Sequence, residues 1–309
     1  MPLIRVEEPG LFTTVQDLGR PGFGPLGVSP SGAADPIALR LGNKLVGNPE
    51  GAAALEMTLI GGTFMFSEPA TVALAGSDFG ATLDSAPVPV WTALHVPPGG
   101  TLRIGPTRSG ARCYLCVNGG IAVEPFLGSA STHVLSGLGG FRGRALQKAD
   151  ILEIGPATCA FDGRTVPAAV CQSLAPRKVL RVTDAPQIDW FTEASRSVFY
   201  TSMFKVTEEA NRMGLRLEGP PLAMCPGGHM ITEGVALGAV QVPPGGQPII
   251  LFVEQQTTGG YPKIANVIAA DLASVGQLRP RDSIRFERVD LATARALLRE
   301  QERTILALD

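Results

Sequence analysis

At 309 residues the chain is long enough for one large or two ordinary domains, each able to bury its own core. Hydrophobic residues make up 45% and charged residues 17%, which excludes a disordered chain, and a net charge of -2 gives no electrostatic reason to expect nucleic acid or an anionic membrane surface as a partner. No run of about 18 apolar residues is present to cross a bilayer, and "MPLIRVEEPGLF" carries charges where a signal peptide needs an apolar centre, so a cytoplasmic location is expected.

The 37 glycines and 26 prolines fall at short intervals between runs of Val, Ile, Leu, Phe and Thr, the punctuation of short strands and tight turns. Residues 10–35, "GLFTTVQDLGRPGFGPLGVSPSGAAD", read as a long non-regular segment holding Thr13, Thr14, Gln16, Asp17 and Arg20 close together. Two readings fit it: a functional loop, or a packed loop in which Asp17 caps backbone amides and Arg20 pairs with it. "DPIALRLGNKLVG" then reads as a helix, with Asp35 as N-cap, Pro36 at the first position and Gly47 after the end. Strands are expected in "GTFMFS", "ATVALAG", "TLRIG", "ARCYLCVNG" and "DILEIG", and further on in "KVLRVTD", "LRLEG", "PIILFVE" and "SIRFERV". A short helix is expected over "PQIDWFTEAS" and a C-terminal one from about Asp290 through "LATARALLREQERT". The fold class is mainly β with a few short helices.

Five cysteines, Cys113, Cys116, Cys159, Cys171 and Cys225, suit a reduced compartment better than a disulfide framework. "CYLC" has the spacing of half a zinc site, but no second pair accompanies it and the run alternates like a strand, so core cysteines are expected and no metal site. His95, His133 and His229 are scattered and read as structural. "GLGGFRGR", residues 137–144, has the composition of an anion-binding nest with Arg142 and Arg144 nearby, yet it lacks the Lys-Ser/Thr ending of a P-loop.

Three landmarks recur in order. "LHVPPGG", "ARCYLCVNGG" and "ALQKADILEI" in the first half answer to "VQVPPGG", "PIILFVEQQTTGG" and "QLRPRDSIRF" in the second. Two related β-barrel domains are expected, 1–176 with its linker and 177–309, with Val96 matching Val242 and Asp150 matching Asp282. On this register "QQTTGGYPK" stands where the first half has "VNGGI". The strand and turn are rebuilt with neutral polar groups in one copy only, either for function or as a polar edge. In "EEANRMGLRLEGP", Arg216 and Glu218 alternate with Leu215 and Leu217, and Arg212 sits at the preceding turn; a surface ion pair is the plain explanation.

"GLFTTVQDLGRPGFGPLGVSPSGAAD", "GSAST", "GLGGFRGRALQKAD", "NRMGLRLEGP", "GAVQVPPGGQPI" and "QQTTGGYPKIANVIAADL" together resemble the signature blocks of the allophanate hydrolase subunit 2 domain family, in family order over nearly the whole chain. That family includes the C-type subunit of bacterial 5-oxoprolinase, the regulator KipA and the carboxyltransferase region of urea carboxylase. The resemblance implies two tandem cyclophilin-like β-barrels. One departure is "LRPRD", where the family has Pro-Gly-Asp. No Met-Lys-Met biotin-carrier tripeptide and no ATP-grasp or P-loop signature occurs, so the resemblance implies that ATP is used by an assembled complex and that any biotin is carried by a partner chain.

Three functions are open on this footing: a subunit that opens 5-oxo-L-proline to L-glutamate at the expense of ATP together with subunits of the A and B type, a biotin-dependent carboxyltransferase component acting on urea or a related amide, and a KipA-like regulator that binds a kinase inhibitor. Both enzyme readings need a wall of neutral donors and acceptors for a small amide or lactam. Gln255, Gln256, Thr257 and Thr258 supply these groups, Gly259 and Gly260 admit close backbone approach, Tyr261 stacks or donates, and Lys263, on an exposed turn, offers a cation for a developing oxyanion. Lys263, Asp17 and Glu218 are the candidate catalytic groups; Gln16, Arg20, Arg212 and Arg216 join the substrate-binding set, the last two as carboxylate clamps.

Overall fold

A computed structural model describes residues 2–157, 163–226 and 230–308. Cys159 and His229 lie outside the described residues. The chain forms two compact units. The first holds the described residues of Met1–Arg20, Ser31–Ala175 and Thr304–Asp309, and the second holds Pro21–Pro30 and those of Pro176–Arg303. Two short segments thus belong to the unit opposite to the one their sequence position suggests.

In the first unit a seven-stranded sheet runs in the order Ile121–Ala122, Ile151–Ile154, Leu3–Glu8, Thr63–Phe66, Thr101–Arg103, Thr82–Leu83, Ala86–Pro87. A five-stranded sheet runs Phe12–Gln16, Ala54–Thr58, Arg112–Val117, Ala70–Gly76, Ala93–Val96. One apolar core joins them, with Ile4, Val6, Phe64, Phe66 and Leu102 from one sheet and Val15, Leu55, Met57, Leu74 and Leu115 from the other. The barrel expected here is therefore split into two sheets. The cause lies at Pro9 and Gly10: the register slips between Val6 and Glu8, and Gly10 takes φ 75°, where a Cβ would sit 2.5 Å from the backbone of Gly61, so the chain leaves one sheet and enters the other. It also enters Phe12–Gln16 directly, a strand within the segment read as non-regular. The helix Pro36–Leu45 starts as expected, its Ala38 N–H donating to the Asp35 carboxylate at 2.9 Å, and it lies on the five-stranded sheet where Gly42 meets Cys116. Cys113 and Cys116 are buried on Arg112–Val117, and burial pushes both thiols up from their ordinary range.

The second unit is a closed seven-stranded barrel in the order Val179–Asp184, Lys263–Val267, Ala239–Gln241, Ile249–Leu251, Gly214–Glu218, Phe204–Val206, Ser283–Arg288, the last closing in parallel onto the first. Phe199, from the helix Glu193–Thr201, is buried and stacks on Phe286 of the barrel with ring centroids 4.4 Å apart. The short helix expected from "PQIDWFTEAS" is two elements, a 3-10 turn Ile188–Trp190 and the helix Glu193–Thr201, because Thr192 caps the latter by accepting the Ser195 N–H at 3.2 Å. The strand expected through Glu254 ends at Leu251, where Gln255 N–H turns back onto the Phe252 carbonyl. The C-terminal helix spans Leu291–Leu306, and no described helix is long and apolar enough to cross a membrane.

The internal repeat is visible in hydrogen bonds. Gly100 N–H closes on Pro97 O and Gly246 N–H on Pro243 O, each at 2.9 Å. Gln147 N–H and Arg279 N–H donate to the carboxylates of Asp150 and Asp282. Val6 N–H meets Asp150 O and Val206 N–H meets Asp282 O, both at 2.9 Å, while Ala149 N–H and Arg281 N–H return to Val6 O and Val206 O, both at 2.8 Å. Even the strain is copied: Ala149 has φ 69° and Arg281 φ 73°. Arg281 thus fills, in "LRPRD", a left-handed position that suits glycine.

Candidate functional site

The candidate site residues form three groups, one in the first unit and two in the second. The first, in the first unit, is the knot around Asp17. Ser129 Oγ and Ser131 Oγ donate to Asp17 Oδ1 at 2.6 and 2.5 Å, Gly19 N–H joins them at 2.7 Å, and Ala130 N–H donates to Oδ2 at 2.7 Å. Arg20, 2% exposed, gives its guanidinium to the carbonyls of Phe126 and Ser131 and stacks over the Phe126 ring at 5.5 Å. Gln16 donates to Thr14 Oγ1 and to the Thr132 carbonyl. "TTVQD" and "GSAST" are therefore two halves of one hydrogen-bonded joint, and the expected Asp17 to Arg20 pair is replaced by hydroxyls and amides on the carboxylate and by carbonyls on the guanidinium.

The second place is the outer wall of the barrel. Arg216 and Glu218 are exposed on Gly214–Glu218, and Arg216 Nε lies 3.3 Å from Glu209. They line a pocket of about 370 Å³ with Thr207, Gln247 and Pro248, which is the surface ion pair anticipated for this strand. Arg212, by contrast, is buried, and its Nε donates to Glu254 at 2.5 Å while Glu254 N–H returns to the Arg212 carbonyl at 2.8 Å. Its guanidinium holds the start of the polar segment and does not face outward as a clamp.

The third place is built from the polar segment itself. Lys263 opens the strand Lys263–Val267 and is 4% exposed, not on an exposed turn. The reason is a two-stranded ribbon, Glu233–Gly234 with Thr258–Gly259, that folds over it. Lys263 Nζ donates to Glu233 Oε1, Gln187 Nε2 donates to the same oxygen at 3.1 Å, and Gln187 Oε1 accepts the Lys263 N–H at 3.4 Å. Glu233 is half exposed, and the hydrogen bond from Lys263 holds its carboxyl below the ordinary range, with that from Gln187 adding to it. Gln241 is buried next to it, accepting from Gln256 Nε2 at 3.2 Å and donating to the Tyr261 carbonyl at 3.4 Å. A Cβ on Gly259 would lie 2.5 Å from Gln241 Nε2, so the backbone of the ribbon passes close against the buried Gln241 amide. Thr258, Gly260 and Tyr261 face solvent, and Thr257 is half-buried.

Gln255 differs from these. It is 5% exposed, its Nε2 donates to the Val235 carbonyl at 3.1 Å, and its Oε1 is buried with no hydrogen-bond partner among the described residues. Turning the amide over would set oxygen against carbonyl oxygen, so the orientation is dictated and a strong acceptor is left unused. Gln187, Glu233, Gln241 and Glu254 had not been singled out in the sequence. Gln241 carried a signal: it stands in "VQVPPGG" where the first repeat has the exposed His95 of "LHVPPGG". Gln187 and Glu233 reach Lys263 from 76 and 30 residues away and carried none.

A family model for the carboxyltransferase domain, subdomain A and B, matches residues 26–288, and the chain belongs to that family. Among individual proteins, it is 38% identical to the C-type subunit of 5-oxoprolinase from Escherichia coli over 303 residues, 97% of this chain and 96% of that protein. To the corresponding 5-oxoprolinase subunit of Haemophilus influenzae it is 37% identical over 289 residues, 94% of this chain and 92% of that one. The crystal structure of the K. lactis urea amidolyase superposes with a TM-score of 0.92 at 32% identity, covering 99% of this chain but 20% of that one.

Proposed function

We propose that the chain is the C-type subunit of a cytoplasmic ATP-dependent 5-oxoprolinase, opening 5-oxo-L-proline to L-glutamate with companion subunits of the A and B type. The extent of the match supports the choice: the chain spans 92 to 96% of the oxoprolinase subunits and one-fifth of the urea amidolyase. The single observation that carries the site is the buried, unpartnered Oε1 of Gln255. A buried acceptor without a donor costs about 1–3 kcal/mol, and a lactam N–H supplies the missing donor.

On this reading Gln255 takes the ring N–H, and Lys263, held by Glu233 and Gln187, presents its ammonium to the carbonyl oxygen as negative charge grows there. Thr257, Thr258 and Tyr261 form the wetter rim. Arg212 and Glu254 are positioning residues: their ion pair anchors the backbone from which Gln255 projects. Asp17, Gln16 and Arg20 act through the fold of the first unit, and Arg216 and Glu218 lie on a different face of the barrel. ATP is used by the assembled complex, and its energy makes the stable amide carbonyl attackable by water.

The test is reconstitution. The purified chain alone is expected to consume neither 5-oxoproline nor ATP, and to gain both activities on mixing with its companion subunits. Turnover by the chain alone removes the proposal. Avidin sensitivity of the reconstituted activity would replace it with carboxyl transfer from biotin on a partner.

A further inference from the structure

The glycine loop at 137–144 is left unused by the amide site, and it carries a feature of its own. Its backbone takes φ 62° at Gly139, 55° at Gly140, 57° at Arg142 and 67° at Gly143, with Phe141 outside the positive range. Gly143 N–H closes onto the Gly139 carbonyl at 2.9 Å and Arg144 N–H onto Phe141 at 3.3 Å. Among the described residues, no acceptor takes the four consecutive N–H groups of Gly139, Gly140, Phe141 and Arg142. The sign of φ changes at each step over Gly140, Phe141 and Arg142, and successive N–H groups on such a backbone turn toward one concavity suited to an anion.

The loop is also held rigidly. A Cβ on Gly140 would lie 1.8 Å from Thr132 Oγ1 and one on Gly139 would lie 2.3 Å from the Ser131 carbonyl, so it is pressed onto the joint that carries Asp17. Arg144 is tied to Asp150 by two bonds of 2.7 Å. Arg142 is different. It occupies a left-handed conformation that glycine would adopt without strain, it is exposed, and its guanidinium lies over the Phe141 ring at 5.1 Å. It forms no ion pair among the described residues: Asp150 feels its charge, but that carboxylate is bonded to Arg144. A cation placed on a left-handed backbone and left without an ion-pair partner beside four idle donors is arranged for a ligand outside the chain.

We infer that residues 139–142 form a binding site for a phosphate group, with the four N–H groups and the Arg142 guanidinium taking its oxygens. A tetrahedral oxyanion offers three or more acceptor oxygens to these five donors, where a carboxylate offers two. The site is independent of the lactam reading.

Amide spectra of the isotope-labelled full chain, titrated with inorganic phosphate, test it directly. The expected result is saturable shifts of the Gly139, Gly140, Phe141 and Arg142 amides, with affinity falling about tenfold in Arg142→Gly and partly retained in Arg142→Lys. Arg142→Gly suits the backbone, so a folding defect does not obscure the reading. Parallel titration with ATP distinguishes the source: tighter binding than phosphate marks a nucleotide phosphoryl group, and equal binding marks free phosphate. Absence of saturable shifts at these four amides up to about 50 mM phosphate, or unchanged affinity in Arg142→Gly, overturns the inference.

Discussion

Lys263 and Asp17 are both buried polar groups within stretches of unusual composition, and their surroundings differ. Asp17 satisfies four donors at 2.5 to 2.7 Å. Asp17→Ala leaves two hydroxyls and two amides without their acceptor, so thermal unfolding should show a loss of at least about 3 kcal/mol. A melt within about 1 kcal/mol of wild type would deny the joint its structural role. Lys263 has one principal partner, and that partner is half exposed and can regain water. Lys263→Met keeps the apolar stem and discards the charge, so its melt should stay within about 1–2 kcal/mol of wild type. Glu233 adds a pH signature. Its carboxyl is depressed in the folded chain, so the folded state binds the proton more weakly than the unfolded one. The stabilisation is complete above the ordinary carboxylate value of about 4.3 and is lost as pH falls through the lower folded value. Glu233→Gln should therefore flatten the acid limb of the melting temperature below about pH 4.5; an acid limb identical to wild type would mean the bond to Lys263 does not form in solution.

Among the elements, the repeated corner before Asp150 and Asp282 is where local strain can be measured. Ala149 and Arg281 both sit in the left-handed region. Ala149→Gly removes that strain at an exposed position, so a gain of about 0.5–1 kcal/mol is expected. Arg281→Gly should gain less, because it also loses an exposed ion pair with Glu208 at 2.8 Å, worth about 0–1 kcal/mol. Destabilisation by Ala149→Gly would show that the corner is not strained. The elements themselves were well signalled where apolar and β-branched runs lie between glycine and proline punctuation: Ala70–Gly76, Arg112–Val117 and Val179–Asp184 lie inside such segments. Leu3–Glu8, with Arg5, Glu7 and Glu8 among its six residues, and Phe12–Gln16, inside a glycine- and proline-rich stretch, were hidden because strand pairing with distant partners overrides local composition.

For the whole molecule, the ordered landmarks were enough to anticipate two related β units, since turn chemistry is local and survives divergence. The exchange of Pro21–Pro30 and Thr304–Asp309 between units was not legible, because a compact unit is defined by long-range contacts that leave no periodic trace. The candidate site was legible in its chemistry and not in its geometry. Neutral amides and one lysine were evident from residues 255–263, but the burial of Lys263 depends on a ribbon whose other strand begins at Glu233. Arg212 and Arg216, four residues apart, were indistinguishable as carboxylate clamps until one was found buried against Glu254 and the other on the outer wall.

Lys263 is proposed to act on the substrate within an assembled enzyme. The direct measurement is 5-oxoproline turnover by the reconstituted complex carrying Lys263→Met, with complex formation and melting temperature recorded on the same preparation. Assembly and melt close to wild type with turnover reduced by roughly 10²-fold or more is the predicted result; a folded, assembled variant with near-normal turnover would contradict it.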